Sequence, residues 1–214
     1  MMKLKLLFPL FLMFGFFIQA QDLNGEWRVL KSPHSIGQQS SIFKITPNNI
    51  SVYDFDKFLF KHETRYLDDL TIQVGDTTLL EFEFINGNQN FMKIKRVNGK
   101  PTDNLKYVRI LETIVKTRDL DTLKKSVFEL RLKDKTLTFP LNTKVNLEEL
   151  LISDSANITS DSISIRKRKE TYFLNFYLKG KVTNVFPIKE MNKSKLILYG
   201  LPSHQGEVYA YVKE

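Results

Sequence analysis

Apolar and polar residues alternate with a period of two in many short runs of this chain, and clusters of turn-forming residues separate the runs. A period of two places every second side chain on the same face of a β-strand, whereas a helix needs a period of 3.6. Helical spacing is scarce. The pattern therefore predicts an all-β protein with little helix, built from antiparallel hairpins that follow one another. An up-and-down meander barrel is the simplest closed form of such a chain.

The hairpin over residues 80–96 shows how the alternation predicts the pairing of strands. Leu80, Phe82 and Phe84 share one face, and acidic residues lie between them. A slip of one residue would bring charges into the core. The predicted partners are Phe84–Met92, Glu83–Lys93, Phe82–Ile94 and Glu81–Lys95. These pairs leave residues 87–89 as a three-residue loop, which is a common hairpin length.

Three further hairpins follow from the same alternation. Their predicted partners are Phe43–Val52, Ile45–Ile50, Phe128–Phe139, Leu130–Leu137, Ile163–Leu174 and Ile165–Tyr172. The last two pairs place Arg168 and Lys169 at the tip of their hairpin. We also expect strands at residues 196–199 and 208–212.

The strand pattern weakens once along the chain, over a charged and faintly helical stretch that ends at Lys125. This break divides the sequence into a leader at residues 1–20, a first barrel domain at 21–111, a connector at 112–125 and a second β-rich domain at 126–214. One larger barrel or sandwich over residues 21–214 is the alternative, because all-β domains of about 200 residues are ordinary.

The first twenty residues have the parts of a secretory signal peptide. Lys3 and Lys5 precede an apolar run over residues 6–18, and Ala20 supplies a small residue before Gln21. We expect cleavage between Ala20 and Gln21. An uncleaved anchor is the alternative, but a membrane-spanning helix needs ~20 apolar residues and this run is shorter. No other stretch is comparably apolar, so the processed chain is expected to have no stable membrane span.

The chain has no cysteine, and its formal charge is +8. The lack of cysteine excludes disulfides, thiolate metal sites, thiol catalysis and attachment of lipid to a cysteine. Removal of Lys3 and Lys5 with the leader lowers the charge by two, to +6. A surplus of this size favours anionic neighbours without defining a partner.

Catalytic and metal-binding patterns are missing from the sequence. The histidines His34, His62 and His204 are far apart, and no phosphate-binding glycine loop or nucleophile elbow is present. Adjacent acidic residues such as Asp68 and Asp69 lack the loop of alternating oxygen ligands that calcium needs. We therefore expect no catalytic residues, no metal and no cofactor.

The densest cluster of charge is followed directly by aromatic residues. Phe173 and Tyr177 share a strand face with polar residues, which is unusual for core aromatics. The cluster consists of Arg166, Lys167, Arg168 and Lys169. Three interpretations stay open: a ligand-binding site, a surface for an anionic polymer, or a solvated hairpin tip above a contact between the two domains.

The start of the processed chain contains Gly25 and Trp27 within the run LNGEWRV, and Lys106 to Arg109 reads KYVR. Over residues 22–110 the chain resembles the bacterial lipocalin-like (calycin-type) domains. The resemblance implies an up-and-down barrel whose base is plugged by Trp27. It also implies that Arg109, from the closing strand, packs over the Trp27 indole ring. Such a cation–π contact contributes ~0.5 to 2 kcal/mol.

These observations favour an exported, non-enzymatic binding protein that holds a small apolar or amphipathic ligand in a lipocalin-like barrel. A periplasmic or secreted location in a bacterial envelope fits the leader and the resemblance. An envelope-associated or secreted interaction module for an anionic polymer or protein is the alternative, and a periplasmic hydrolase is the second. Export argues against nucleic acid as a partner, and the oligomeric state stays open.

Overall fold

The computed structural model of the protein describes residues 22–31, 40–102, 105–117, 119–132, 135–141, 145–146, 159–160, 162–201 and 204–213. These residues form almost entirely antiparallel sheets with one short α-helix, so the predicted all-β fold class is confirmed. The predicted leader and the cleavage site between Ala20 and Gln21 lie outside the described residues.

Nine strands form the first sheet. They are β1 Gly25–Lys31, β2 Ser41–Thr46, β3 Asn49–Asp54, β4 Lys57–Asp68, β5 Thr71–Val74, β6 Thr78–Phe84, β7 Phe91–Val97, β8 Lys100–Pro101 and β9 Lys106–Arg109. The order of strands is β6-β5-β4-β3-β2-β1-β9-β7-β8, and β6 also pairs with β7. This last pairing closes eight of the strands into an up-and-down barrel, with β8 added beside β7.

Neighbouring strands of the barrel run in alternating directions, so the barrel has two distinct ends. We call one end the base; it contains residues 22–24, the turns 47–48 and 69–70, and the loop 85–90. The other end, the mouth, contains the turns 55–56, 75–77 and 98–99.

The hairpin of β6 and β7 has the predicted pairing at three of four positions. The observed pairs are Phe84–Met92, Glu83–Lys93 and Phe82–Ile94. A bulge next to Glu81 then shifts the register, so that Glu81 faces Arg96 instead of the predicted Lys95. A bulge inserts one extra residue into one strand, and a period-two pattern does not reveal it. The charge pairing survives, because Arg96 Nη1 lies 3.3 Å from the Glu81 carboxylate.

Two further predicted hairpins have the expected register. Phe43 faces Val52 across β2 and β3, and Ile45 faces Ile50. In the second half of the chain, the predicted partners Phe128–Phe139 and Leu130–Leu137 are also observed.

A second, open sheet follows the barrel. Its strands are β10 Ile114–Val115, β11 Val127–Leu132, β12 Lys135–Pro140, β15 Ser162–Arg168, β16 Thr171–Leu178, β17 Lys181–Met191, β18 Lys195–Leu201 and β19 His204–Val212. The order is β12-β11-β19-β18-β17-β16-β15, with β10 parallel to β17. A separate pair, β13 Val145–Asn146 and β14 Thr159–Ser160, forms a two-stranded sheet. In the described residues β12 and β15 do not pair, so the second sheet is a half-barrel.

The predicted register of the hairpin of β15 and β16 is wrong by two residues. Ile163 pairs with Phe176 instead of Leu174, and Ile165 pairs with Leu174 instead of Tyr172. The tip is therefore the turn 169–170, in which Lys169 adopts a left-handed backbone conformation with φ of 51°. A slip of two residues leaves every side chain on its original face, so the alternation does not distinguish the two registers.

The stretch predicted as a connector contains β10 and the helix α1, Leu120–Lys125. Asp119 caps the helix, because its carboxylate accepts a hydrogen bond of 2.9 Å from the backbone N–H of Thr122. Leu123 is buried in the core of the half-barrel. Leu120, which is partly buried, packs against the same core, so the helix is held by its cap and by two leucines.

Each sheet has an apolar core of its own, and the two sheets also pack on each other. The outward face of the barrel strands β1, β2 and β9 meets β16, β17 and β18. Phe55 from the turn 55–56 contacts Phe173 edge-on, with ring centroids 5.3 Å apart. The division into two independently folding domains at residues 112–125 stays a prediction.

Candidate ligand cavity

The barrel encloses a cavity of about 160 Å³. Ten of its twelve lining residues are apolar, and the other two are His62 and Tyr107. The lining includes facing pairs from neighbouring strands, such as Val52 with Phe60 and Phe82 with Ile94. The same alternation that predicts the strands places these side chains inside the barrel. The cavity therefore offers an apolar environment with two polar side chains at its wall.

The cavity reaches the mouth of the barrel beside β4. Lys57 to Glu63 of β4 pair with β3, whereas β5 pairs with β4 only from Thr64 onward. In the described part of the barrel, residues 57–62 therefore have no strand along their second edge. Phe60 and His62 line the cavity and are nevertheless exposed, with their rings 5.3 Å apart. They form the visible entrance to the cavity.

Tyr107 is the second polar residue of the lining. It lies on β9 and is buried, and this burial raises the pKa of its hydroxyl. The phenol therefore stays protonated at physiological pH and keeps an O–H donor.

The base of the barrel is closed by Trp27. This residue is fully buried, and its indole Nε1 donates a hydrogen bond of 2.8 Å to the carbonyl oxygen of Leu23. The Arg109 guanidinium carbon lies 4.5 Å from the centroid of the indole ring. This is the position that the family resemblance implies for Arg109.

Arg109 is held over the ring by backbone carbonyls and by a glycine. Its Nη1 donates to Asn24 O at 2.9 Å, its Nε to Gln89 O at 3.3 Å, and its Nη2 to Asp22 O. A Cβ atom at Gly25 would lie 3.4 Å from Arg109 Nη1, and the φ of Gly25 is +137°. Glycine thus provides both the backbone conformation and the space for the guanidinium. The base of the barrel thus depends on Gly25, Trp27 and Arg109, because the Arg109 guanidinium lies next to both of the other residues.

The basic cluster at residues 166–169 meets acidic residues of the barrel. Arg168 is buried and forms an ion pair with Glu26, which also binds Lys169. Arg166 Nη2 lies 3.4 Å from the Asp56 carboxylate. Lys167 instead pairs with Glu170, at 3.2 Å within its own hairpin.

The carboxylate of Glu26 is the centre of this contact. Burial by itself would raise its pKa, but hydrogen bonds and charges from Lys169 and Arg168 outweigh burial and lower the pKa. The predicted contact between the tip and the barrel agrees with this geometry. The prediction of a solvated tip is wrong for Arg168, which is buried in that contact.

The aromatic candidates lie in different surroundings. Phe173 is fully buried against Phe55 at the junction of the two sheets. Tyr177 is partly buried, and its hydroxyl is 3.2 Å from the Ser164 hydroxyl. The structure therefore brings neither ring to the barrel cavity, which is lined by other residues.

A buried arginine at the junction of the sheets was not predicted. Arg28 on β1 is fully buried, its Nη2 donates to the carbonyl oxygen of Gly200, and its Cζ lies 5.1 Å from the Phe186 ring centroid. Its Nε and Nη1 have no partner among the described residues. Burial lowers its pKa, because desolvation disfavours the charged form. The alternation alone places Arg28 on the outside of the barrel, where a charge is ordinarily solvated.

The described residues contain no group of three or more His, Cys, Asp or Glu side chains that could hold a metal ion. No helix in this part of the chain has the length and apolar character needed to cross a bilayer.

No family model, curated protein or solved structure matches this chain. The resemblance to lipocalin-like domains therefore stays a prediction.

Sequence reasoning did not single out the residues that line the cavity. Each of them looks like an ordinary inward-facing residue of a strand, and a cavity depends on how far the opposite walls stand apart. One sequence signal for the exposed part of the lining was available. The run KFLFKH at residues 57–62 has three consecutive apolar residues, whereas a barrel strand with one face in solvent needs an apolar residue only at every second position.

Proposed function

We propose that this protein is an exported, non-enzymatic binding protein and that its barrel holds a small apolar or amphipathic molecule in the cavity. The observation that carries the proposal is a cavity of about 160 Å³ with an apolar lining and an entrance at Phe60 and His62. An apolar cavity of about this size in a protein core stays free of water and takes up benzene-sized molecules.

The size of the cavity limits the ligand. Pockets for drug-sized molecules span roughly 300 to 1,000 Å³, so a fully enclosed ligand here is smaller than those. A small aromatic compound or the end of an acyl chain fits this volume. A polar end of the ligand would point towards the mouth, where His62 is exposed.

Export and membership of the lipocalin-like family belong to the same proposal. The sequence pattern of residues 1–20 supports export, and the contact of Arg109 with Trp27 supports the family. If export is right, mass spectrometry of the protein outside the cytoplasm will show Gln21 as its first residue. Recovery of only the unprocessed chain would contradict it.

Ligand binding is tested by methyl NMR during titration with toluene and with straight-chain carboxylic acids of about four to twelve carbons. We expect saturable shifts of the methyl groups of Ile45, Ile50 and Ile94, which line the cavity. Ile163 and Ile188, in the core of the half-barrel, should not shift.

A pair of variants on β5 localises the site. Val74 lines the cavity, whereas Gln73 is the preceding residue on the opposite face of the strand. Val74→Phe reduces the cavity and should abolish the saturable shifts, while Gln73→Phe should keep them. Absence of saturable shifts with every compound, or equal shifts in both variants, would overturn the proposed ligand site.

A further inference from the structure

The mouth of the barrel carries the most conspicuous exposed apolar residues of the described chain. Phe58, Leu59 and Phe60 follow one another at the start of β4, and their exposed fractions are 53%, 44% and 47%. We call these three residues the apolar strip. Single exposed apolar residues are normal on protein surfaces, but contiguous ones mark surfaces that bind proteins or membranes.

A local irregularity explains why all three side chains are exposed. Phe58 faces Tyr53 and Phe60 faces Val52, so the register shifts at Leu59. Phe58 thus lies on the outer side of the barrel, where its ring contacts Tyr53 edge-on at 5.7 Å. Phe60 lies on the inner side at the cavity. The strip therefore presents apolar groups on both faces of β4, where this strand has no described partner along its second edge.

Basic residues flank the strip at both ends. Lys57 and Lys61 are exposed, and neither forms an ion pair with another described residue. The nearest acidic neighbour in the turn, Asp56, is already engaged by Arg166 and Arg168. Arg166 is itself about half exposed. Two further carboxylates lie nearby, Asp54 opposite Lys57 on β3 and Glu63 two residues after Lys61. Neither forms an ion pair with these lysines, so Lys57 and Lys61 can both contact an anionic partner.

We propose that the apolar strip, with Lys57 and Lys61, binds the surface of an anionic lipid bilayer. Apolar side chains enter the boundary between headgroups and acyl chains, and the two lysines contact anionic headgroups. The start of β4 suits this mode, because residues 57–62 have no described strand along their second edge and the side chains of the apolar strip are exposed there. This surface goes beyond the proposed ligand cavity and does not depend on it.

The lack of cysteine allows a direct test of where the protein touches the bilayer. A single cysteine introduced as Leu59→Cys in the full chain is labelled with the environment-sensitive dye NBD. The matched control is Val115→Cys, because Val115 has a similar exposed fraction of 43% on β10. Vesicles of phosphatidylcholine with 30% phosphatidylglycerol should raise the dye emission at position 59 several-fold, with little change at position 115.

A second pair of variants separates the contribution of the strip from nonspecific binding through other exposed apolar residues. Phe58→Ser with Leu59→Ser should weaken binding to these vesicles by roughly tenfold or more, since two apolar side chains no longer enter the bilayer. Ile114→Ser with Val115→Ser removes the other exposed apolar pair and should leave binding unchanged. Trp27 fluorescence of each variant shows that the barrel is still folded.

The lysines are tested in the same way. Lys57→Ser with Lys61→Ser should weaken binding by about tenfold or more, because each lysine near an anionic surface adds to the electrostatic attraction. Lys124→Ser with Lys125→Ser, on the exposed side of α1, is the matched control. Binding should also fall as salt rises, because salt screens exposed charges.

The proposal is overturned if the dye at position 59 stays in water, if pure phosphatidylcholine vesicles give the same response, or if the strip variants bind as tightly as the wild type. Binding through the leader would leave the dye at position 59 in water. Val74→Phe separates the two proposals: it should abolish ligand binding in the cavity and leave vesicle binding intact. Failure of one proposal is therefore distinguishable from failure of the other.

Discussion

Arg109 and Arg131 each lie over an aromatic ring, yet their surroundings differ. Arg109 is half-buried at the base of the barrel, 4.5 Å from the Trp27 ring centroid, and donates to three carbonyl oxygens. Arg131 lies 5.0 Å from the Tyr211 ring, but its side chain is 65% exposed. Desolvation strengthens a cation–π contact, so the contact of Arg109 with Trp27 at the base stabilises the protein more than the contact of Arg131 with Tyr211 at the surface.

At the residue scale, we expect Arg109→Met to lower the free energy of unfolding by about 2 to 4 kcal/mol, because the cation–π contact and the bonds to carbonyls are lost together. Arg131→Met should cost less than about 1 kcal/mol. Urea unfolding followed by the fluorescence of Trp27, the single tryptophan of the chain, measures both changes. Equal costs for the two variants would contradict the structural role of Arg109.

At the scale of elements, the tip of the β15–β16 hairpin is attached to the first strand of the barrel through Glu26. The carboxylate binds Arg168 and Lys169, which follow each other at the tip. Had the predicted register been right, the turn would have comprised Arg168 and Lys169. The observed register keeps Arg168 in the strand opposite Thr171, where its guanidinium Nε also donates to the carbonyl oxygen of Phe55 at 3.0 Å.

This contact makes the stability of the protein depend on pH in the acid range. The pKa of Glu26 is below its ordinary value of 4.5 in the folded state, so the folded protein binds fewer protons than the unfolded chain in this range. Its stabilisation is complete above the unfolded pKa and is lost as the pH falls through the folded pKa.

We therefore expect wild type to be more stable than Glu26→Gln at pH 6, and the gap in Tm to shrink as the pH falls below about 4.5. Glu83→Gln is a suitable control, because Glu83 pairs with Lys93 and its side chain is 45% exposed. Its effect at pH 6 should be much smaller. A gap that is independent of pH would show that the Glu26 carboxylate is not the titrating group.

At the scale of the whole molecule, the two sheets come into close contact at Gly200. A Cβ atom at this position would lie 2.7 Å from Val108 Cγ1 of the barrel. The φ of Gly200 is +69°, and the pairing of β18 with β19 is irregular between Tyr199 and Leu201. The missing side chain thus lets β9 pack directly on the backbone of β18.

We expect Gly200→Ala to lower the free energy of unfolding by about 2 to 4 kcal/mol, from backbone strain and from overlap with Val108. Gly180→Ala isolates the backbone effect, because Gly180 has a φ of +73° and nothing within 4 Å of the added atom. It should cost only about 1 to 2 kcal/mol. Thermal unfolding compares the two variants.

A double variant assigns the excess to the contact between the sheets. Val108→Ala removes Cγ1, which would lie 2.7 Å from the new Cβ, and Cγ2, so Gly200→Ala should be less costly in that background than in wild type. Strictly additive effects of the two substitutions would exclude Val108 as the cause.

The local pattern of apolar and polar residues was sufficient to predict much of the fold. The period-two alternation predicts the strands, and in the hairpins of β2 with β3 and of β11 with β12 it also predicts the register. It does not distinguish registers that differ by two residues, and it does not reveal bulges. The observed pairings of Ile163 and Glu81 therefore differ from the predicted ones. The alternation shows only on which face of a strand a side chain lies. A slip of two residues keeps every side chain on its face, and a bulge adds a single residue to one strand.

The sequence by itself determined that the chain is all-β, that its strands form consecutive hairpins and, where no bulge interrupts a strand, which side chains face the inside of the barrel. These properties depend on residues that are close in the sequence, because successive side chains of a strand point to opposite faces. Only the tertiary structure decided that the outer face of β1 is buried, so that Arg28 lies in the interior. It likewise decided that the barrel retains a cavity and that Phe58, Leu59 and Phe60 are exposed at its mouth. These features depend on where distant strands come to lie, and the alternation of residues along one strand does not contain that information.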